Sequence, residues 1–228
     1  MEFHAPKTFE IRASRIKNYK IRNMTAQEQI QLENIADSEY EIFALLKQRY
    51  SPRIFKDRKI TEQHLHQLFE AVRWAPSSNN LQPWRFLYAE KGSDAYEKIV
   101  DSLTESNRTW AKNAPLLMLT AYKKETNNGQ ENFHALHDLG LGLGGMTVQA
   151  QYMGIALHHM AGLDYKKAQD IFDVPEEFHI VSAIAVGYYG GELDDLPEKL
   201  QQKEISERQR IPQNQFAFQN SWGANHSA

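Results

Sequence analysis

The 228-residue chain contains no cysteine, which excludes disulfides, thiol nucleophiles and Cys-ligated zinc or iron–sulfur centres together. A basic surplus is missing too. The formal net charge is -3 and the Lys and Arg residues are dispersed, whereas a nucleic-acid binder normally shows a concentrated basic stripe. No run approaches the ~18 apolar residues of a membrane span, and MEFHAPKTFEIR at the start has no apolar h-region. A soluble, cytoplasmic protein with no nucleic-acid or membrane partner is therefore expected. There is no G-x-S-x-G elbow, and Ser77 follows a proline at a helix end rather than a strand, so serine-hydrolase chemistry is not expected.

What is present is an ordinary globular composition, 41% hydrophobic and 24% charged, in a length that suits one large domain. Residues 1–37 read as an N-terminal arm, 38–213 as the domain and 214–228 as a tail. Thr25-x-x-Glu28 and Ser38-x-x-Glu41 fit the capping box. The second is expected to open a helix through Ile42, Leu45 and Leu46 that ends near Ser51-Pro52. Thr61 caps a helix whose stripe is Leu65, Leu68, Phe69 and Val72, stopped by Pro76. RFLYAE (85–90) reads as a strand, and Gly92-Ser93-Asp94 turns into a helix carrying Tyr96, Ile99, Val100 and Leu103. PLLMLTAY (115–122) is apolar on both faces, as a central strand must be.

After a polar loop at 125–131, the longest helical pattern runs from Asn132 to about Tyr152. IALHHMA (155–161) follows as a strand, then a helix capped by Asp164 to about Asp173, then the inner strand HIVSAIAVGYYG (179–190). Helices alternate with strands, which gives α/β or α+β with helices on both faces of one sheet. LPEKLQQKEISERQRIP, beyond Gly191, is charged and weakly periodic. It is expected to lie on the outside or on a partner.

GLGLGG (140–145) satisfies G-x-G-x-x-G literally, but a dinucleotide site needs a strand before it and a helix opening at it. These glycines fall inside a helix, where each costs about 1 kcal/mol relative to alanine, so close helix packing is the favoured reading. His134-x-x-His137 lacks a third ligand, and His158 and His159 point to opposite faces of a strand. No metal site is expected.

RYSPR (49–53) places Arg49, Ser51 and Arg53 at alternating positions of a segment that cannot be helical near Pro52. Extended chain sends all three to one side, where they form either an anion cradle or a solvated charge pair. Arg208 and Arg210, before Ile211-Pro212, could add a second clamp. APSSNNLQPWRF (75–86) packs Ser77, Ser78, Asn79, Asn80 and Gln82 between two prolines, far more hydrogen-bonding capacity than a connector needs.

RYSPR followed by APSSNNLQPW resembles the nitroreductase family of flavin-dependent oxidoreductases. The small-residue helix at 132–152, MAGLD (160–164), the VPEE after the next helix and R-x-R-I-P at 208–212 agree in order, so the likeness spans about residues 38–213. The resemblance implies a three-layer α+β fold, with a mixed or antiparallel sheet flanked by helices, in an intertwined homodimer. FMN would lie at the dimer interface. NAD(P)H would be the co-substrate, and a nitroaromatic or quinone the small-molecule acceptor in a ping-pong cycle.

Carried over by position, Arg49 and Ser51 lie near the phosphate, as do Arg208 and Arg210. Arg53 lies near the flavin N1/O2 edge or ribityl chain, and Asn80 on the ring. Ser77, Ser78 and Gln82 supply hydrogen bonds within a segment stiffened by Pro76 and Pro83. Met160 precedes Ala161 or Gly162, one of whose backbone N–H groups faces N5. Relatives carry Pro and Glu just before that glycine, where this chain has His159 and Ala161. No dedicated acid–base residue is implied. A flavin storage or regulatory protein, a dehalogenase, an ene-reductase and a flavin-consuming enzyme are the alternatives on the same fold.

Overall fold

The computed structural model describes residues 30, 31, 34–206 and 208–223; the Thr25 capping box lies outside them. Thr61 caps α2 (Glu62–Arg73) by accepting the His64 N–H, and Ser93 caps α3 (Asp94–Ser102) by accepting that of Tyr96. Between them runs β1 (Trp84–Glu90). α4 (Glu105–Ala111) leads to β2 (Leu116–Lys123), and α5 (Ala135–Tyr152) to β3 (Ile155–Met160). Asp164 caps α6 (Tyr165–Ile171) through Lys167 N–H, and β4 (Phe178–Tyr188) completes the sheet. A short α1 (Ala44–Gln48) precedes all of these and α7 (Glu198–Glu204) follows them.

The strand order is β1-β2-β4-β3 and every pairing is antiparallel, so the class is α+β. β2 and β4 are the inner strands, which is why both are apolar on two faces. Alternation along β2 sends Leu116 and Met118 to a core with Leu65, Leu68 and Val72 of α2 and Met146 of α5. Leu117 and Leu119 go to a second core with Tyr96, Ile99 and Val100 of α3 and Trp110 of α4. One sheet between two helical layers is the three-layer arrangement that the family resemblance implies.

α5 shows what its glycines are for. A Cβ on Gly142 would meet Val72 Cγ1 at 2.9 Å, and one on Gly145 would meet the Ala71 carbonyl oxygen at 3.3 Å. The α5 backbone thus lies directly on α2. Gly140 and Gly144 face open space.

Two readings need correction, and one helix was not foreseen. Ser38 opens no helix: α1 starts at Ala44 with no side-chain cap, and Ser38 Oγ has no hydrogen-bond partner among the described residues. Tyr40, Ile42 and Phe43 are all exposed, so no buried stripe supports helix over those residues. α4 was not anticipated, because its seven residues carry a single large apolar side chain, Trp110. The charged C-terminal stretch does not simply lie outside, since Leu196 and Glu204 are buried against the body. Ile30 and Asn34, within the expected arm, are buried there as well.

Candidate functional site

The 77–82 segment begins where α2 stops. Ser78–Asn80 make one tight turn, and Asn79, Asn80 and Gln82 all take positive φ, at 49°, 55° and 47°. Asparagine tolerates this region better than most residues because its short side chain can bond locally. The turn is tied from within: Gln82 N–H donates to Ser77 Oγ at 3.1 Å, and Gln82 Nε2 to Asn80 Oδ1 at 3.2 Å. It is tied from below by Asp138, in the first turn of α5, whose Oδ2 accepts the Ser78 N–H at 2.9 Å. Asp138 is buried, and its Oδ1 lies 3.1 Å from His137 Nδ1. The exposed side chains of Asn79 and Asn80 crown a fixed loop.

The arginines gather elsewhere. Arg49 follows α1 in extended conformation and donates to Ser51 Oγ at 3.3 Å, as alternation requires. Arg208 is half-buried and donates to the Asn34 and Lys47 carbonyls at 2.7 and 3.1 Å. Arg210 is exposed and donates to the Gln209 carbonyl. Burial lowers the pKa of Arg49, opposed by Tyr189 and then reinforced by the Arg210 charge; burial and then the charges of Arg49 and Arg210 lower that of Arg208, opposed by Tyr189. None of the three has a carboxylate partner among the described residues. Arg53 behaves differently. Its guanidinium donates to Glu204 Oε2 at 3.3 Å and its backbone N–H to the same carboxylate at 3.0 and 3.2 Å.

At the end of β3 the two histidines diverge as expected. His158 packs on Trp110, ring centroids 4.4 Å apart, with Nδ1 2.9 Å from the Pro52 carbonyl. His159 Nε2 is 3.2 Å from Thr147 Oγ1 on the opposite face. Surrounding chain and then the Arg49 charge lower the His159 pKa, although part of the ring stays open to solvent. Met160 is buried. The Gly162 carbonyl accepts from Thr104 N–H, Thr104 Oγ1 and Asn107 Nδ2 at 3.0 to 3.2 Å, and Tyr165 OH donates to the Ala161 carbonyl at 2.8 Å. A Cβ on Gly162 would meet Asn107 Nδ2 at 2.5 Å and Thr104 Oγ1 at 2.6 Å, so a side chain here would displace the two groups that hold the Gly162 carbonyl.

α5 links the pieces. Its first turn holds 77–82 through Asp138, while further along Thr147 meets His159 and Gln151 accepts the Tyr189 OH at 2.7 Å. At 1.5 Å per residue the two contact regions are separated by about 13 Å. Arg49, Ser51, Arg208 and Arg210 therefore form one charged face and 77–82 a second polar one. Arg53 is drawn toward Glu204. Sequence reasoning missed Glu204 and Asp138; a lone acid in an apolar, glycine-rich helix was the available signal for the latter. No group of three or more His, Asp or Glu is placed to hold a metal among the described residues. A cavity of about 330 Å³ lined by Leu87, Leu119, Val174 and Phe178 touches none of the predicted site residues.

A four-stranded antiparallel sheet between helical layers, with an arginine face at its rim, is a fold shared with known flavoproteins. The chain belongs to the nitroreductase family, whose sequence model matches residues 46–109 and 88–188. It is similar to a crystal structure described as an oxidoreductase containing FMN, with TM-score 0.78 and 30% identity over 84% of this chain and 98% of that one. An iodotyrosine deiodinase of Thermotoga neapolitana is 25% identical over 169 residues, 64% of this chain and 88% of that protein. A variant of an FMN- and NADPH-dependent nitroreductase from Sphigopyxis sp. strain HMH has the same fold, with TM-score 0.60 and 15% identity over 78% of this chain and 98% of that one.

Proposed function

We propose that the protein is an FMN-dependent oxidoreductase that passes reducing equivalents from NAD(P)H to a small organic acceptor of nitroaromatic or quinone type. The observation that carries this reading is the cluster of Arg49, Arg208 and Arg210, gathered closely enough that the Arg210 charge acts on Arg49 and both act on Arg208, and lacking any carboxylate partner among the described residues. Such a cluster calls for a phosphate-sized anion. The preformed 77–82 turn fits the other end of the same molecule, because a flavin's pyrimidine ring carries donors and acceptors that need partners on burial. FMN held by these residues would supply the redox chemistry between NAD(P)H and the acceptor.

The chain's own groups bind and orient. Arg49, Ser51, Arg208 and Arg210 hold the phosphate, and Ser77, Ser78, Asn80 and Gln82 present hydrogen bonds toward the ring from a segment fixed by Pro76 and Pro83. Arg53 commits one guanidinium donor to Glu204 and keeps others for the N1/O2 edge. The turn at Met160, Ala161 and Gly162 has its carbonyls pinned by Tyr165, Thr104 and Asn107, which orients its N–H groups. We further propose a homodimer with FMN at the interface. Phe43 and Leu46 around α1, and Phe133, Leu136 and Leu141 around α5, are exposed in the single chain, and Gly140 and Gly144 leave room for a second copy to approach.

The test is direct. Purified protein should be yellow, run by light scattering at about twice the chain mass, and release FMN rather than FAD on denaturation. NADH or NADPH should bleach the colour and an added quinone restore it. Colourless protein that FMN cannot reconstitute overturns the reading.

A further inference from the structure

We infer that Glu204 is a positioning residue for the anion-binding face: by holding the main chain and the guanidinium of Arg53 together, its carboxylate sets the segment carrying Arg208 and Arg210 against the one carrying Arg49 and Ser51. The inference rests on the FMN reading above and assigns the tuning of cofactor affinity to a residue beyond the stretch that the family model matches.

Glu204 ends α7, and its side chain is only 1% exposed. Burial raises its carboxyl pKa, the expected sign when a charge leaves water. A buried ion pair is a poor source of stability compared with an apolar pair of the same volume, so its use here points to geometry. Both oxygens accept the Arg53 N–H and one also accepts the guanidinium. That fixes backbone and side chain of the same residue, 151 positions away in sequence. Asn34 Nδ2 donates to the Ile30 carbonyl at 2.9 Å and to the Glu204 carbonyl at 3.4 Å. Arg208 returns the contact by donating to the Asn34 and Lys47 carbonyls.

The need for such a fastening follows from charge. Arg49, Arg208 and Arg210 repel one another, and before an anion arrives that repulsion pushes their two segments apart. Glu204 holds the two segments together against it through Arg53, while Arg49, Arg208 and Arg210 keep no carboxylate partner among the described residues. A cradle held open in its binding geometry does not have to be ordered when the anion binds.

The experiment compares FMN with riboflavin, which lacks the phosphate. Dissociation constants for both are measured by flavin-fluorescence quenching with the full chain, for wild type, Glu204→Gln and Glu204→Asp. The preference of wild type for FMN over riboflavin should fall about tenfold in Glu204→Gln, the riboflavin loss being the smaller one and arising through the Arg53 contact to the ring edge that both flavins share. Glu204→Asp, with the charge restored on a shorter arm, should recover part of the preference. A preference equal to wild type, or an equal weakening of both ligands, overturns the inference, since a merely structural role would not single out the phosphate. If Glu204→Gln does not fold, Glu204→Asp alone is read by the same ratio, and an undiminished preference overturns the inference. Wild type that binds riboflavin as tightly as FMN would instead refute the phosphate reading beneath it.

Discussion

Two parts of the candidate site, the 77–82 turn and the arginine face, are held in place by different means. The turn is continuous in sequence. It is stiffened by two prolines, by hydrogen bonds among its own residues, and by one buried carboxylate, Asp138, 60 positions away. The arginine face has almost no local order. Its members come from positions 49 to 53 and 208 to 210, and contacts spanning 151 to 174 residues bring them together. The first region is uncharged apart from its anchor. The second concentrates like charges and needs Glu204, backbone carbonyls and finally a ligand to be at ease. A flavin mononucleotide has the matching asymmetry, a neutral heterocycle at one end and a dianion at the other.

The largest effect that separates the two regions is expected from Arg49→Ala. Charge-assisted hydrogen bonds contribute about 1.5 to 3 kcal/mol, so FMN should bind about ten- to a hundredfold more weakly. Riboflavin, without the phosphate, should bind nearly as before. Titration of both flavins against wild type and variant reads the difference. Equal losses for the two would erase the division between a phosphate end and a ring end.

Asp138→Ala should give the opposite pattern at smaller size. The Ser78 N–H would lose its partner, at a cost of about 1 to 3 kcal/mol, and the three positive-φ residues beyond it would lose their anchor. Both flavins should therefore weaken by the same factor, roughly tenfold, and the melting temperature should fall. A loss confined to FMN would place Asp138 with the arginines.

The same contrast explains what could be read from the sequence. The turn, the α2 stripe with its Thr61 cap, the two-faced β2 and the glycine-rich α5 each declare themselves within a short window, through side-chain period or local chemistry. Arg49 and Ser51 fall together for the same reason, because alternation in extended chain is a local rule. Glu204 could not be found this way. In QQKEIS it looks like one more solvated charge, and only the approach of α7 to Arg53 buries it. Ser38-x-x-Glu41 failed in the converse way. The local signal was good, but Tyr40, Ile42 and Phe43 stay exposed among the described residues, and a cap cannot hold a helix that lacks a buried face.

The smallest expected effect concerns acid, and it should act on the arginine side alone. His158, beneath that face, lies within hydrogen-bond distance of the Pro52 carbonyl in the middle of RYSPR. Burial, followed by the charges of Arg53 and His159, lowers its pKa to about 4, against the pull of that carbonyl. The folded value is therefore below the unfolded value of about 6.5. Between these two values the unfolded chain takes up a proton that the folded chain refuses, so stability should fall as pH drops from about 6.5 toward 4. At pH 7, His158→Gln should melt below wild type, having lost the ring packing on Trp110. Without the titrating group its own decline with acid should be shallower, so the gap between the two melting curves should narrow as the pH falls to about 5. Thermal melts of both proteins across that range provide the measurement, and parallel curves would show that His158 does not set the acid response of the segment that carries Arg49 and Arg53.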